Sequence, residues 1–326
     1  MKYLRELKYL LKTGFKSLYT LGFRRTIELT KMYLKAQERK TFFPLQFAYL
    51  DYFFETDVDA IRKKDKQIMR ETSLLFDYSQ VEKTYPNIFQ KENIKIRYSF
   101  QEAKNNSLGL VVLFHGHNAY LHAGPMEKFD NFDVLAPWDN FGFNRQGSWF
   151  WGEKGNNFVE KIIWDLISKF IDDHNYKFWF CFGGSMGGFA SLYYGIKYNA
   201  NGMYVMCPQV DLKIKIEDYG LDNKNNPFLF LMGESGLNSV PDLIDLARNK
   251  ESLPPLFLMQ HQYDSVNSFK KHAIKLINIY SEKDAWLGLR IQPGIGHMAD
   301  GLQREANLFF KLIVEKNPPH KTNFNF

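Results

Sequence analysis

The sequence predicts an α/β fold, with a mainly parallel central sheet, helices on both faces, an N-terminal helical extension and an inserted segment. From about residue 92 onward, apolar strand-like runs alternate with helical runs, which is the pattern of a parallel sheet. A glycine-rich turn joins one of these strands directly to a helix. Two later strands each end next to a residue with acid–base chemistry, at the edge where parallel strands gather functional groups.

The individual elements follow from hydrophobic periodicity and from turn residues. Residues 211–254 do not fit the alternation of strand-like and helical runs. This segment is therefore predicted to form an insertion or lid over the carboxyl edge of the sheet. The chain therefore divides into an extension at 1–90 and an α/β domain at 91–326. Strands are predicted at 94–100, 108–114, 132–136, 177–182, 203–207, 256–260 and 287–292, and helices at 157–175, 185–198, 268–281 and 302–315.

The N-terminal extension carries most of the basic character of the chain. Residues 1–40 hold 11 Lys and Arg against 3 Glu, in a protein with a net charge of +6. Apolar residues recur there every three or four positions, which predicts a basic amphipathic helix, and a further helix is predicted at 58–75 before a turn at 85–87. Such a helix either lies on an anionic membrane surface or packs on protein, with its lysines in water.

Several classes of protein are not indicated by the sequence. No signal-type segment and no run of about 18 apolar residues is found, so a cytoplasmic location is expected. The two cysteines, Cys181 and Cys207, lie in apolar strands, which predicts buried thiols and a reducing compartment. Cys/His spacings for metals, phosphate loops and dinucleotide motifs are missing, so neither a bound cofactor nor a metal nor a nucleic-acid partner is expected.

The central chemical signal is the motif G-x-S-x-G at Gly183 to Gly187, placed after an apolar strand and before a helix. A nucleophile on such a turn has a strained backbone, and side chains two residues before and after it would collide with their surroundings. The helix that follows directs its N-terminal amides at a developing oxyanion. We therefore predict that Ser185 is a nucleophile.

A serine nucleophile needs a base, and the base needs an acid that orients it. Asp264 follows the strand at 256–260, and His297 lies in a glycine-flanked loop after the last strand, so both fall in the chain order of this arrangement. Asp284 and Asp300 are alternative acids in less suitable positions. His261 is interpreted as structural or pocket-lining. The other histidines are predicted on loop or helix surfaces, namely His122, His174, His272 and His320.

An oxyanion hole needs two amides. We assign them to Met186, directly after the nucleophile, and to His117, in the turn after the strand at 108–114, with Asn118 as the second choice for the latter. His115 is expected to brace that turn. Asn118, Trp149 and Trp151 are the predicted substrate-binding residues. The two tryptophans either offer stacking faces to a sugar substrate or pack in the core under a loop.

On these motifs, residues 92–315 resemble the α/β-hydrolase superfamily. The sequence segments 132–152 and 183–211 also resemble capsular polysaccharide biosynthesis proteins of the XcbB/CpsF type and bacterial glycan O-acetyltransferases. The resemblance implies that acetyl-CoA acylates the serine and that a polysaccharide hydroxyl accepts the acyl group. A carboxylesterase or deacetylase, with water as acceptor, and a non-catalytic scaffold are the alternatives. Residues 1–40 would then contact the inner face of the membrane or a capsule-assembly complex.

Overall fold

An eight-stranded sheet forms the centre of this computed structural model, which describes residues 84–117, 129–219, 226–233, 240–264, 266–295, 297 and 302–316, together with Phe23, Arg24 and Ile27. The strands are, in chain order, β1 (Asn87–Lys91), β2 (Ile94–Gln101), β3 (Leu110–Phe114), β4 (Asp133–Trp138), β5 (Trp179–Gly184), β6 (Gly202–Met206), β7 (Leu256–Tyr263) and β8 (Leu287–Ile295).

The strand order is β1-β2-β4-β3-β5-β6-β7-β8. Strand β2 is antiparallel to both of its neighbours, β1 and β4, whereas every pair from β4 to β8 is parallel. The mainly parallel sheet predicted from the sequence is confirmed. Because parallel strands share one carboxyl edge, the residues that follow β3 to β8 are gathered along one side of the sheet.

Helices cover both faces of the sheet, as predicted. Alternate residues of a strand point to opposite faces. The α-helices of the described residues are α1 (Phe158–Asp173), α2 (Met186–Lys197), α3 (Leu212–Tyr219), α4 (Pro227–Met232), α5 (Leu243–Arg248), α6 (Ile274–Glu282) and α7 (Leu302–Lys316). In β3, Leu110 and Val112 join a core cluster with α1, α2 and α6, whereas Val111 and Leu113 join a second cluster with α7.

The predicted insertion contains the short helices α3, α4 and α5, between β6 and β7. Helix α4 is tied to the loop that follows β4, because the amides of Lys154 and Gly155 donate to the carbonyls of Phe230 and Leu231 at 3.1 and 2.9 Å. Helix α5 packs against α2 and α6. The insertion therefore joins the main core, and its action as a lid stays a prediction.

The sheet begins earlier in the chain than the sequence indicates. Only a turn is predicted at 85–87, but β1 starts at Asn87 and pairs with β2 through a turn in which Glu92 has a φ of 54°. Most of β1 is exposed, and its sequence has neither an apolar run nor a clear alternation of apolar and polar residues, so its pattern does not predict a strand. The sheet therefore begins before residue 91, and the division of the chain into an extension and an α/β domain stays a prediction.

The helices predicted at 1–40 and 58–75 lie outside the described residues, apart from Phe23, Arg24 and Ile27, which are helical and exposed. In the part of the chain that the structure describes, none of the helices has both the length and the hydropathy that crossing a bilayer requires.

Candidate active site

Ser185 lies in a sharp turn between β5 and α2. Its φ of 56° is in the left-handed region, which is strained for a residue with a side chain. The amide of Ser185 donates to the carbonyl of Met206 at 2.9 Å, which fastens the turn to β6. The residue is 8% exposed and so retains some access from solvent. This is the local geometry of a nucleophile elbow.

Gly183 and Gly187 close this turn. A Cβ at Gly183 would come within 3.0 Å of the carbonyl oxygen of Gly187, and one at Gly187 would come within 3.0 Å of the carbonyl oxygen of Phe114. Backbone atoms cannot swing aside as the end of a long side chain can, so neither position has room for a side chain. The steric reason predicted for the two glycines is confirmed.

Asp264 and His297 form a buried pair at the same edge of the sheet. Asp264 directly follows β7 and is 2% exposed, and His297 follows β8 and is 3% exposed. The imidazole Nδ1 lies 3.0 Å from both carboxylate oxygens. Burial alone would raise the pKa of Asp264, but His297 and two backbone amides together lower that pKa below its ordinary value. The carboxylate is therefore charged and positioned to hold the imidazole.

The carboxylate of Asp264 sits in a cradle that sequence analysis missed. The amides of Val266 and Asn267 donate to Oδ1, each at 2.8 Å, and Nε2 of the buried Gln260 donates to Oδ2 at 3.0 Å. The Asn267 side chain in turn donates to the carbonyl of Cys207 at 2.8 Å. Gln260 stands four residues before Asp264 and Asn267 three residues after it, and their role becomes visible only through the contacts of the folded chain.

The end of β6 is hydrogen-bonded both to Ser185 and to β7, the strand that leads to Asp264. Met206 accepts the hydrogen bond of the Ser185 amide, and the amide of the next residue, Cys207, donates to the carbonyl of Met259 on β7 at 2.8 Å. Among the described residues, no hydrogen bond joins Ser185 Oγ to His297. The structure thus places the three predicted residues at one edge of the sheet and pairs two of them, while the histidine–serine contact stays a prediction.

The two predicted oxyanion donors lie directly after Ser185 in the chain and shortly after the strand next to β5. Met186 is buried at the first position of α2, where the amide is not used in the helix. His117 follows β3, the neighbour of β5 in the sheet, and its ring stacks on Trp149 with centroids 5.4 Å apart. Burial lowers the pKa of His117 to about 4, so its ring is neutral near pH 7. Asn118 lies outside the described residues, and the oxyanion role of all three stays a prediction.

Asp139 is a second buried carboxylate at this edge, and sequence analysis missed it. Its side chain accepts from the amides of Ser148, Phe150 and Phe141 at 2.6, 2.7 and 3.2 Å. Its own amide donates to Nε2 of His115 at 2.9 Å, so His115 braces this region as expected. Burial raises the pKa of Asp139 despite these donors. An aspartate directly after a strand is the signal that could have identified it.

Trp149 and Trp151 are both buried in the main core cluster. The indole N–H of Trp149 donates to Gln209, and its ring centroid lies 4.4 Å from that of Phe228 on α4. These contacts agree with the prediction that the two tryptophans pack in the core under a loop. A role of either indole in substrate binding stays a prediction.

The remaining histidines have mixed outcomes. His174 is exposed, as predicted, but the predicted surface position of His272 is wrong. His272 is fully buried, and its Nδ1 accepts from the amide of Val210 at 3.2 Å. His261 is buried inside β7. The alternative acid Asp284 lies in the turn before β8, away from the pair, whereas His122, His320 and Asp300 lie outside the described residues.

Comparison with solved structures identifies the fold class as that of the α/β-hydrolases. A puromycin-hydrolysing peptidase from Mycobacterium tuberculosis has a TM-score of 0.51 at 15% identity, over 66% of this chain and 36% of the other. An acylaminoacyl peptidase from Pyrococcus horikoshii has a TM-score of 0.51 at 14% identity, over 77% and 45%. A fluorophosphonate-binding serine hydrolase, FphF from Staphylococcus aureus, has a TM-score of 0.52 at 12% identity, over 70% and 96%.

This chain spans less than half the length of either of the two peptidases, and the similarity at these identities is one of fold. No protein-family model and no curated protein matches the sequence. The chain is therefore an α/β-hydrolase-fold protein, and its activity has to be argued from its own residues.

Proposed function

We propose that the protein is a serine-dependent acyl-transfer enzyme. Ser185 is the nucleophile, His297 the general base and Asp264 the acid that orients the base. The observation that carries the proposal is the buried, hydrogen-bonded pair of Asp264 and His297 at the sheet edge where Ser185 occupies a strained turn. A purely structural role would not require a serine with positive φ together with a buried imidazole–carboxylate pair.

The chemistry follows from the tautomer that this pair favours. The N–H group at His297 Nδ1 donates a hydrogen bond to the Asp264 carboxylate, which leaves the lone pair of Nε2 to accept the proton of Ser185 Oγ. The serine oxygen then attacks the acyl carbonyl, and the amides of Met186 and His117 stabilise the negative charge on the carbonyl oxygen. His297 returns the proton to the leaving group, and an acyl-serine remains.

The acceptor of the acyl group is the finer part of the proposal. We propose O-acetylation of a bacterial capsular or surface polysaccharide, with acetyl-CoA as donor. The support is the sequence resemblance of 132–152 and 183–211 to proteins of capsule synthesis and glycan O-acetylation. In this proposal the basic segment 1–40 holds the enzyme at the inner face of the membrane or in an assembly complex.

Hydrolysis is the second candidate, and the fold shared with peptidases and a serine hydrolase favours it. Transferase and hydrolase differ only in whether a sugar hydroxyl or water reaches the acyl-serine. A deacetylase or carboxylesterase would use the same three residues in the same roles.

Intact mass measurement tests both levels of the proposal. The protein is incubated with acetyl-CoA or an activated acetyl ester, with and without a capsule-type glycan, and the acetyl adduct is followed. An adduct that is absent in Ser185→Ala supports acyl-serine chemistry, and Ser168→Ala on α1 is the matched control. Chase of the label onto glycan supports the transferase, and release to water alone supports the hydrolase. Failure of both acetyl donors and of a fluorophosphonate probe to modify Ser185 would refute the proposal and favour a scaffold.

A further inference from the structure

Cys207 is a buried thiol that the proposed mechanism does not use. It follows β6 directly, is fully buried and has a φ of 42°, in the left-handed region. Its sulfur, one carboxylate oxygen of Asp264 and one ring nitrogen of His297 all lie within 4.8 Å of one another. In the described residues no other group of three such donors comes together. The three residues are far apart in sequence, which is why no metal-ligand spacing is visible there.

We propose that Cys207, Asp264 and His297 bind a borderline-soft divalent cation such as Zn²⁺, and that this cation switches off the catalytic base. The regulatory half of this inference rests on the proposed function, since it assigns His297 as that base. Binding of the cation itself does not depend on any activity of the protein.

The donor set suits such a cation. Thiolate, imidazole and carboxylate are the three kinds of ligand that Zn²⁺ takes in proteins, at about 2.3, 2.0 and 2.0 to 2.2 Å. With these bond lengths, nitrogen and oxygen ligands of a tetrahedral ion stand about 3.3 Å apart. His297 Nδ1 and the Asp264 oxygens are 3.0 Å apart, so they need to separate only slightly to admit the ion. The fourth position is left for a water molecule or another ligand.

The proton balance gives the inhibitory effect. When the cation binds, the Cys207 thiol releases its proton to solvent, and a metal–sulfur bond forms. His297 coordinates through Nδ1, so the single proton of its neutral ring moves to Nε2. Nε2 then carries hydrogen where the mechanism needs a lone pair, and the ring cannot accept the proton of Ser185. Asp264 exchanges its hydrogen bond to the ring for a bond to the metal.

Direct binding is tested with Cd²⁺, a spectroscopic substitute for Zn²⁺ whose bond to a thiolate absorbs in the ultraviolet. The full-length protein, freed of metal with a chelator, is titrated with Cd²⁺. We expect one equivalent to produce the thiolate–metal band in wild type and in Cys181→Ala, which removes the other cysteine of the chain. We expect no band in Cys207→Ser, which conserves the shape of the side chain, or in Cys207→Ala.

The regulatory effect is tested by the rate at which a fluorophosphonate probe labels Ser185. We expect saturating Zn²⁺ to slow labelling of wild type at least about tenfold, as for loss of a general base, and EDTA to restore it. The labelling rate of Cys207→Ser, measured with and without metal, should not change when Zn²⁺ is added. A thiolate band that persists without Cys207, or its absence from wild type, would overturn the metal site. A band in a protein that the probe does not label would support the site while refuting the proposed function.

Discussion

The substitution Asp264→Asn tests the assigned base through its tautomer, and the surrounding hydrogen bonds decide the outcome. The amides of Val266 and Asn267 both donate to Oδ1 of the carboxylate. The carbonyl oxygen of the new side chain must therefore face these two donors. Its NH₂ group must take the place of Oδ2, where it meets His297 Nδ1 and Nε2 of Gln260.

The size of the effect follows from that orientation. We expect the NH₂ group to donate to His297 Nδ1, so that the ring proton moves to Nε2 and the lone pair that the proposed base requires is lost. In serine proteases the wrong tautomer lowers turnover about 10⁴-fold, which corresponds to about 5.5 kcal/mol. Opposite Gln260, two N–H donors now face each other, and one unsatisfied buried donor costs about 1–3 kcal/mol of unfolding free energy.

The assay combines two rates with one measure of folding. Fluorophosphonate labelling and hydrolysis of an activated acetyl ester report the base, and urea denaturation reports the free energy of unfolding. Asp245→Asn, the same change at an exposed position on α5, is the matched control and should leave all three values unchanged. If folded Asp264→Asn keeps both rates within about tenfold of wild type, Asp264 does not orient a catalytic base.

Three further predictions concern stability and the region around the site. Gly187→Ala presses a Cβ against the carbonyl of Phe114, so its unfolding free energy, measured by urea denaturation, should be about 3 kcal/mol lower than that of wild type. Gly188→Ala, whose nearest contact would be 3.1 Å, should lose less unfolding free energy. Asp139→Asn turns an N–H group toward amides that donate to the carboxylate, so unfolding free energy and the labelling rate should both fall; unchanged values would contradict this. Because folding lowers the pKa of Asp264, its carboxylate stabilises the folded state above the ordinary pKa of 3.8, and this stability is lost as pH falls through the lower folded value. Below about pH 4, the unfolding free energy of wild type should therefore fall more steeply than that of Asp264→Asn.

Much of the architecture could be predicted because local patterns determine it. Strands β2 to β8 and helices α1, α2 and α7 match their predicted positions within a few residues, since buried parallel strands are nearly continuous apolar runs. Helix α6 begins six residues after its predicted start, and helices α3 to α5 lie in the segment 211–254, where no helix was predicted. The steric need for Gly183 and Gly187 was also visible, because it arises from a turn of a few residues. The pairing of Asp264 with His297 followed from one rule: residues after parallel strands meet at the carboxyl edge.

The parts that were missed depend on contacts between distant segments. Strand β1 is short and exposed, so it forms because β2 offers it a partner and not because of its own pattern. His272 looked like a surface residue of a helix, yet the chain after β6 covers it and uses its Nδ1. The Asp139 network joins the turn after β3 to the loop after β4, and no spacing in the sequence encodes that junction.

The end of β6 couples the two proposals and determines the order of the experiments. The carbonyl of Met206 accepts from the amide of Ser185, the proposed nucleophile, and the sulfur of the next residue, Cys207, lies close to the Asp264–His297 pair. A cation at that sulfur would therefore suppress acylation of Ser185 without any change at the serine itself. A protein purified with bound metal would then fail the acylation test although its three catalytic residues were intact. Acylation measured with and without chelator separates the cases: activity that appears only with chelator supports both proposals, whereas equal activity supports the serine chemistry alone.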